Sequence, residues 1–394
     1  MKLSRALGVV TLVLALTLAG GADAQRRRGR RAPPPPPPPS VAQHVTIMDG
    51  ASGAILFCDA CNTPIQPASM SKLMTAYMVA ERLRSGRVNM NTRLRVSENA
   101  WRHGAMSDGS HMFLELNSEV SVGDLLRGLI IVSANDACIV LAEGIWGSEE
   151  AMVADMNNRA QALGLRTARF HNTTGLPDPG HVISSADLAR LARILITQHP
   201  EIYRLYSQRN FTYNNHTQEN RNPLLGAFDG ADGMKTGHID ESGYGLVGSA
   251  ALNGQRRIIV FNGTRSMADR RNEALRIMRA AFNDYSITRV AVHGAQVGEA
   301  RVRLGSRATV PLVAQRDIVI GGPRGVQSRL TARIVYSGPL RAPIAQGAVV
   351  AHLVIEGPGF PRQQFPLAAG RRIGRANWFS RAWEGLRLTM FGPS

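Results

Sequence analysis

Two apolar runs meet at Asn253-Gly254 in "GYGLVGSAALNGQRRIIVFNG", residues 243–263. Asn-Gly between strand-like runs supplies the two left-handed residues of a tight hairpin. At the other end of the same region, "HVTIMDGASGAILF" (44–57) has the pattern of strand, glycine-containing turn and strand. What lies between is helical. From Met70, the residues Leu73, Met74, Tyr77 and Met78 fall on one side of a helix that Gly86 stops. Residues 122–199 then give four helical stretches with short polar breaks: "VGDLLRGLIIV", "DACIVLAEGIW", "EEAMVADMNNRAQALG" and "SSADLARLARILITQ". "DRRNEALRIMRAAFNDY" (269–285) adds a closing helix. Strands at both ends of a helical middle bury their apolar faces only if one sheet unites the two ends, so 41–287 is expected to be an α+β domain.

After about residue 288 the pattern changes. "VRLGSRATVPLVA", "QSRLTARIVYS" and "AVVAHLVIEG" alternate apolar and polar residues between Gly and Pro turns, which predicts a small β-sandwich over 288–370. From Arg375, "RANWFSRAWEGLRLTMF" wound as a helix gathers Trp378, Phe379, Ala382, Trp383, Leu386 and Met390 on one face, with Arg381, Glu384 and Arg387 opposite. Such a segment is either a core helix of the sandwich or an amphipathic anchor in a membrane interface. Its place after a completed β region favours the anchor, assigned to 371–394.

The first residues address the compartment. Lys2 and Arg5 precede the apolar run "LGVVTLVLALTLA" (7–19), and Ala22-Asp23-Ala24 has the small-x-small pattern of a cleavage site, so 1–24 is expected to be a signal peptide. The run is shorter than the ~20 residues of a spanning helix, and no second long apolar run follows. The mature chain is therefore placed in the periplasm, attached to the outer face of the inner membrane through its terminal helix. "QRRRGRRAPPPPPPPS" (25–40) has no core to bury and is expected to be a stiff, disordered arm. A net charge of +17 would suit a nucleic-acid binder inside the cell. Export argues against nucleic acid and leaves anionic lipid or an acidic envelope polymer. Cys58, Cys61 and Cys138 are too few for a disulfide framework. The C-x-x-C spacing of the first two lacks the further ligands of a zinc site and fits a local disulfide better. The histidines show no ligand spacing, so neither metal nor other cofactor is expected.

Lysine is rare in this chain: among 46 Lys+Arg it stands only at Lys2, Lys72 and Lys235. A guanidinium keeps its proton, whereas an ammonium loses it if the surroundings push. In "PASMSKLMT" Ser69 precedes Lys72 by three positions, which on a helix puts both on one face. A serine hydroxyl is a weak nucleophile until a base takes its proton. Alone, the pair reads as well as a helix cap followed by a solvent lysine. Two further stretches change this. "VSANDA" places Ser133 and Asn135 in a break between apolar helices, and "GMKTGH" places Lys235, Thr236 and Gly237 on an extended segment before the hairpin. S-x-x-K, S-x-N and K-T-G in that order form the three-part signature of penicillin-binding proteins and serine β-lactamases. Both lysines beyond the leader fall inside it.

With these motifs, and with "MNNRAQALGL", "NTTGLPDPGH", "DGMKTGHIDESGYGLVGSA" and "APIAQGAVVAHLVIEG", the chain from about 41 to 394 resembles a known family. It is similar to the low-molecular-mass penicillin-binding proteins that are D-alanyl-D-alanine carboxypeptidases of serine peptidase family S11. The resemblance implies a β-lactamase-like transpeptidase domain, an antiparallel sheet with a helical subdomain, followed by the β domain. It implies that Ser69 attacks the penultimate D-Ala carbonyl of a peptidoglycan stem pentapeptide, that Lys72 accepts its proton, and that Ser133 relays a proton to the leaving D-Ala nitrogen. Asn135 would hold the peptide amide. Lys235 and Thr236, helped by Arg265, would bind the terminal carboxylate, with Gly237 completing the motif. Backbone N–H groups of Ser69 and His238 would form the oxyanion hole. β-Lactams would acylate the same serine. The arm at 25–40 departs from the family pattern.

Rival functions are separated by single features. A class A β-lactamase needs a deacylating glutamate between the second and third motifs, and 151–200 contain none. A non-catalytic peptidoglycan-binding protein has no use for intact Ser69, Lys72 and Lys235. A D,D-endopeptidase acting on cross-links would use the same residues and stays open, the added β domain favouring the carboxypeptidase. Asp178, in the Pro/Gly turn "GLPDPGH", is expected to bond local backbone. For Lys72 to serve as base, its pKa must fall from about 10.4 toward 7, with burial beside Lys235 the expected cause.

Overall fold

In a computed structural model of the protein the described residues are 9–10, 41–105, 110–358 and 360–376. The arm at 25–40, the signal peptide apart from Val9 and Val10, and the terminal helix from 377 onward lie outside them. The chain divides between Tyr285 and Ser286 into two units.

The unit ending at Tyr285 is built on five antiparallel strands: β1 (Gln43–Asp49), β2 (Ile55–Cys58), β3 (Ala231–Ile239), β4 (Gly243–Leu252) and β5 (Gln255–Thr264). Their order is β3-β4-β5-β1-β2, so the first strand of the unit pairs with its last, Ile258 opposite Met48. Asn253 (φ 51°) and Gly254 (φ 74°) make the left-handed turn between β4 and β5. Within "RRIIVFNG" the run Ile258 to Phe261 is continuously apolar because both faces of β5 are covered there. Ile258 and Val260 enter one core with Met48, Val247 and the helical residues Leu73 and Met74. Ile259 and Phe261 point to the other face, against Ala274, Ile277 and Met278 of the helix Met267–Asn283.

The helical subdomain departs from the sequence expectation in two places. Helix α1 (Lys72–Arg84) is not apolar on one side only: every residue from Lys72 to Ala80 is buried. It runs through the middle of the subdomain and meets neighbours all round. The breaks between helices are not all short either. Helices Val122–Arg127, Asn135–Trp146, Glu149–Ala162 and Ser185–Gln198 form, but residues 163–184 carry no helix. There Asn172 Oδ1 accepts from Thr174 N (3.2 Å), Thr174 Oγ1 (3.1 Å) and Gly175 N (2.7 Å), a side-chain turn that competes with helix, and Pro177 and Pro179 follow.

The unit from Ser286 is β-rich. Gln296–Arg303, Thr309–Ala314, Thr331–Val335, Leu340–Arg341, Val349–Gly357 and Phe360–Ala369 share one sheet, with Val9–Val10 pairing at its edge. Ile373 is fully buried in the core of this unit, and Arg375 bridges Gly305. Residues 371–376, given above to the anchor, thus belong to the β unit. Cys58 and Cys61 are joined as a disulfide. Among the described residues no helix is long and apolar enough to cross a membrane, and no group of three or more His, Cys, Asp or Glu is placed to hold a metal ion.

One charge pair ties the ends of the first unit together. Arg257 on β5 lies directly opposite Asp49 on β1, both are buried, and their side chains pair. Arg257 Nε also donates to Ala281 O at 3.0 Å, and Asp49 accepts from Ser52 N at 2.8 Å. Asp49→Ala would leave a buried guanidinium without its carboxylate, so a loss of about 3–5 kcal/mol is expected. Urea unfolding of the two proteins reads it directly; a change within error would show that the pair does not hold the sheet closed.

Candidate active site

Ser69 lies in a 3₁₀ turn, Ala68–Ser71, that runs straight into α1 at Lys72. Ala68 has φ 50°. That conformation costs a residue bearing a Cβ about 1–3 kcal/mol and persists only where packing over-determines it. Two glycines let that packing close on the turn. A Cβ on Gly175 would stand 2.2 Å from Ala68 O, and one on Gly237 would stand 2.8 Å from Pro67 O.

Lys72 is fully buried. Its Nζ donates to Ser69 Oγ at 2.9 Å, to Asn135 Oδ1 at 2.8 Å and to the carbonyl oxygen of Thr174. An ammonium has three N–H donors and no acceptor, so three partners saturate it. Desolvation by burial, as expected, lowers its pKa to about 8, assisted by the cation of Arg221 and opposed by the carboxylate of Asp136. The like charge expected from Lys235 is not among the causes. The influence runs the other way: Lys235 is itself buried and lies well below the usual lysine range, through burial first and then the charge of Lys72. Burial also pushes the Cys138 thiol up to about 12, which keeps it neutral.

The second motif follows a π-type turn over Gly128–Val132, a feature frequent at functional sites. Ser133 ends it with φ 68°, and the N–H groups of Ser133 and Ala134 both turn back to Gly128 O. Asn135 then opens the helix Asn135–Trp146, which brings its amide to Lys72. Ser133 Oγ is buried and has no hydrogen-bond partner among the described residues. Asp136 anchors the motif by accepting from Met112 N (3.1 Å) and Ala137 N (2.9 Å); burial raises its pKa.

The third motif is on β3, the edge strand of the sheet. Lys235 and Thr236 are buried, and Lys235 Nζ donates to Thr236 O at 3.2 Å. His238 stacks its ring on Tyr244 at 3.8 Å, and the guanidinium of Arg270 lies 5.6 Å from that same Tyr244 ring. Arg265 is exposed, on a surface shared with His44, His238 and Tyr244. The buried arginine here is Arg270, whose charge acts on Lys235 and whose Nε has no partner. Sequence inspection missed Arg270 because its motif, "DRRNEA", is an ordinary helix start. Among the described residues neither lysine, nor Arg221, nor Arg270 is ion-paired with a carboxylate. Asp178 accepts from Gly180 N at 2.8 Å and bonds His171 Nδ1 at 2.9 Å, a local role as expected.

Hydrogen bonds thus join Ser69, Lys72 and Asn135, and the close pass of Gly237 brings β3 to the serine turn. The loop carrying Thr174 was not foreseen as part of this cluster. Its contribution is a backbone carbonyl, which has no signature in side-chain identity.

Comparison with known proteins accords with this geometry. Residues 32–265 match the peptidase S11 family, described as D-alanyl-D-alanine carboxypeptidase, and residues 285–375 match the penicillin-binding protein 5, C-terminal domain. The chain is 36% identical over 356 residues to D-alanyl-D-alanine carboxypeptidase DacA of Haemophilus influenzae, covering 89% of this chain and 90% of that one. It is 34% identical over 342 residues to D-alanyl-D-alanine carboxypeptidase DacC of Escherichia coli, covering 86% of each. The crystal structure of penicillin binding protein 5 from Haemophilus influenzae matches with a TM-score of 0.74 at 36% identity, over 86% of this chain and 99% of that one. Penicillin-Binding Protein D2 from Listeria monocytogenes in its ampicillin-bound form matches with 0.57 at 28% identity, over 63% and 100%. The three motifs, the sheet that unites them and these similarities agree: the chain belongs to the D-alanyl-D-alanine carboxypeptidases of serine peptidase family S11 and is a penicillin-binding serine carboxypeptidase.

Proposed function

We propose that the enzyme removes the terminal D-alanine from peptidoglycan stem pentapeptides through an acyl-enzyme on Ser69. The observation that carries this reading is the set of partners around Lys72. A neutral lysine has two N–H groups and one lone pair. Asn135 Oδ1 and Thr174 O accept and cannot donate, so they take the two hydrogens. The lone pair is left for the Ser69 hydroxyl, 2.9 Å away. A pKa near 8 makes the neutral form accessible close to neutral pH.

In this mechanism Ser69 Oγ bonds to the penultimate D-Ala carbonyl carbon as its proton passes to Lys72. The oxyanion faces the backbone N–H groups of Ser69 and His238. The C–N bond then breaks: Ser133, whose Oγ has no partner among the described residues, hands its proton to the departing D-Ala nitrogen and receives in turn the proton held on Lys72, which restores the neutral amine. Water hydrolyses the ester and frees Ser69. Asn135 keeps its amide N–H₂ for the peptide while its oxygen holds Lys72. The substrate's terminal carboxylate binds at Lys235 and Thr236, in the positive potential of Arg221 and Arg270, with Arg265 at the rim. These cations have no protein carboxylate among the described residues, and an anionic chain end supplies one. A β-lactam, which also carries a carboxylate beside a reactive amide, enters the same site and acylates the same serine.

The compartment and the tail follow from the sequence. The leader directs the chain to the periplasm, and residues 377–394 lie as an amphipathic helix in the outer face of the inner membrane, with the sandwich-like unit from Ser286 as their support.

Labelling with penicillin followed by peptide mapping is expected to place the adduct on Ser69. Lys72→Arg should fold yet lose acylation by at least about a hundredfold, because a guanidinium cannot act as base, whereas Lys235→Arg keeps measurable activity. In the parent protein the acylation rate should rise with pH and level off above about 8, since Lys72 is protonated and unable to accept below that value. Parent-like acylation by Lys72→Arg would remove Lys72 from the base role.

A chain ending after Ala376 keeps Ile373 in the β core. It should leave the membrane fraction while still cleaving soluble pentapeptide. Retention on membranes would refute the anchor, and loss of folding would assign the segment to the core.

A further inference from the structure

We propose that Glu149 is a positioning residue for Lys72, acting through the Thr173–Thr174 segment; this rests on the reading of Lys72 as the base. Glu149 is the first residue of the helix Glu149–Ala162, whose cap, Ser148, accepts from Ala151 N at 3.2 Å. A carboxylate there is held by the positive end of the helix. Its Oε1 accepts two hydrogen bonds from one residue, Thr173 N at 2.8 Å and Thr173 Oγ1 at 2.7 Å. Such charge-assisted bonds are about twice as strong as neutral ones. From α1, Thr75 Oγ1 donates to Thr173 O at 2.7 Å. From the loop itself, Asn172 Oδ1 accepts from Thr174 N at 3.2 Å. These bonds fix the peptide group that precedes the Thr174 carbonyl, Gly175 N on its far side donates to the same Asn172 Oδ1 at 2.7 Å, and the carbonyl between them is the third acceptor of Lys72. Thr173 and Thr174 are both buried.

The chemical consequence concerns where the lone pair of neutral Lys72 points. Two acceptors in fixed places leave it one direction, toward Ser69. Were the Thr174 carbonyl free to swing, one N–H of the amine would lose its partner and the lone pair would wander. The ammonium would also lose an acceptor, so its pKa would fall further. Besides Lys72 itself, the charged group hydrogen-bonded to the segment among the described residues is Glu149, from a different helix than the one that bears Lys72.

The test uses the full chain and penicillin as probe, with acylation rates followed across the pH range that brackets the Lys72 transition at about 8. Glu149→Ala should lower the limiting acylation rate about tenfold, leave the dissociation constant of the preceding non-covalent complex within about twofold, and move the acid limb to lower pH. Glu149→Gln keeps an acceptor oxygen for Thr173 and should stay within about threefold of the parent, with its limb in place. If Glu149→Ala folds poorly, Thr173→Val, which removes one of the two bonds and retains the backbone one, should show the same limb shift at smaller amplitude. A tether that serves stability alone would lower the Tm and leave both the rate per folded molecule and the limb unchanged; that outcome overturns the proposal. Lys72→Arg is measured alongside. If it is inert while Glu149→Ala matches the parent, positioning by Glu149 fails and the base reading stands; if Lys72→Arg acylates normally, both fall.

Discussion

The site depends on taking one ammonium out of water. Lys72 is fully enclosed, and no carboxylate is paired with it among the described residues. The groups hydrogen-bonded to it are neutral oxygens: a hydroxyl, a side-chain amide and a backbone carbonyl. A carboxylate in place of any of these would stabilise the charge and hold the proton on. Neutral acceptors satisfy the hydrogen bonds without doing so, and desolvation then favours the free base. The strained Ala68, the π-type turn before Ser133 and the helix-free stretch 163–184 each deliver one of the groups around this nitrogen. The irregular backbone of the domain is thus concentrated where one buried proton has to be manageable.

The same shortage of counter-ions defines the other end of the cleft. Arg221 and Arg270 raise the potential around Lys235, and Arg270 is propped against Tyr244, which in turn carries His238. An unliganded site of this kind is electrostatically uncomfortable. A negatively charged group placed there would meet a potential that no paired carboxylate offsets among the described residues.

The motif residues were legible in the sequence because their chemistry is carried by side-chain identity at short spacing. Ser69 with Lys72, Ser133 with Asn135, and Lys235 through His238 each lie within a few positions, and their order along the chain supplied the rest. The closing of the sheet was legible for a different reason: β1 and β5 had no other way to bury two apolar faces. What was hidden depends on tertiary approach. Thr174 contributes a carbonyl that any residue could offer. Glu149 stands just before the glutamate-free stretch 151–200, and among the described residues it reaches the site through Thr173. Arg265 entered through the family resemblance and is exposed, whereas the phase of the helix Met267–Asn283 turns Arg270 into the interior. The pattern of α1 placed Leu73, Met74, Tyr77 and Met78 on one side; in the fold Lys72 and Thr75 are interior groups as well.

The pairing of β1 with β5 also sets an order in time. Ser69 and Lys72 emerge early during synthesis, whereas the strand bearing Lys235 and the strand that locks it to the start of the domain come much later. Until residues near 264 are available, the early pair has no Lys235 strand beside it and no closed sheet to hold the turn. Such long-range closure is slow, since distant segments must meet before either is rewarded. An incomplete polypeptide therefore holds Ser69 and Lys72 without the strand and the closed sheet that enclose them in the fold, and the enclosure is complete when the last strand of the sheet finds the first.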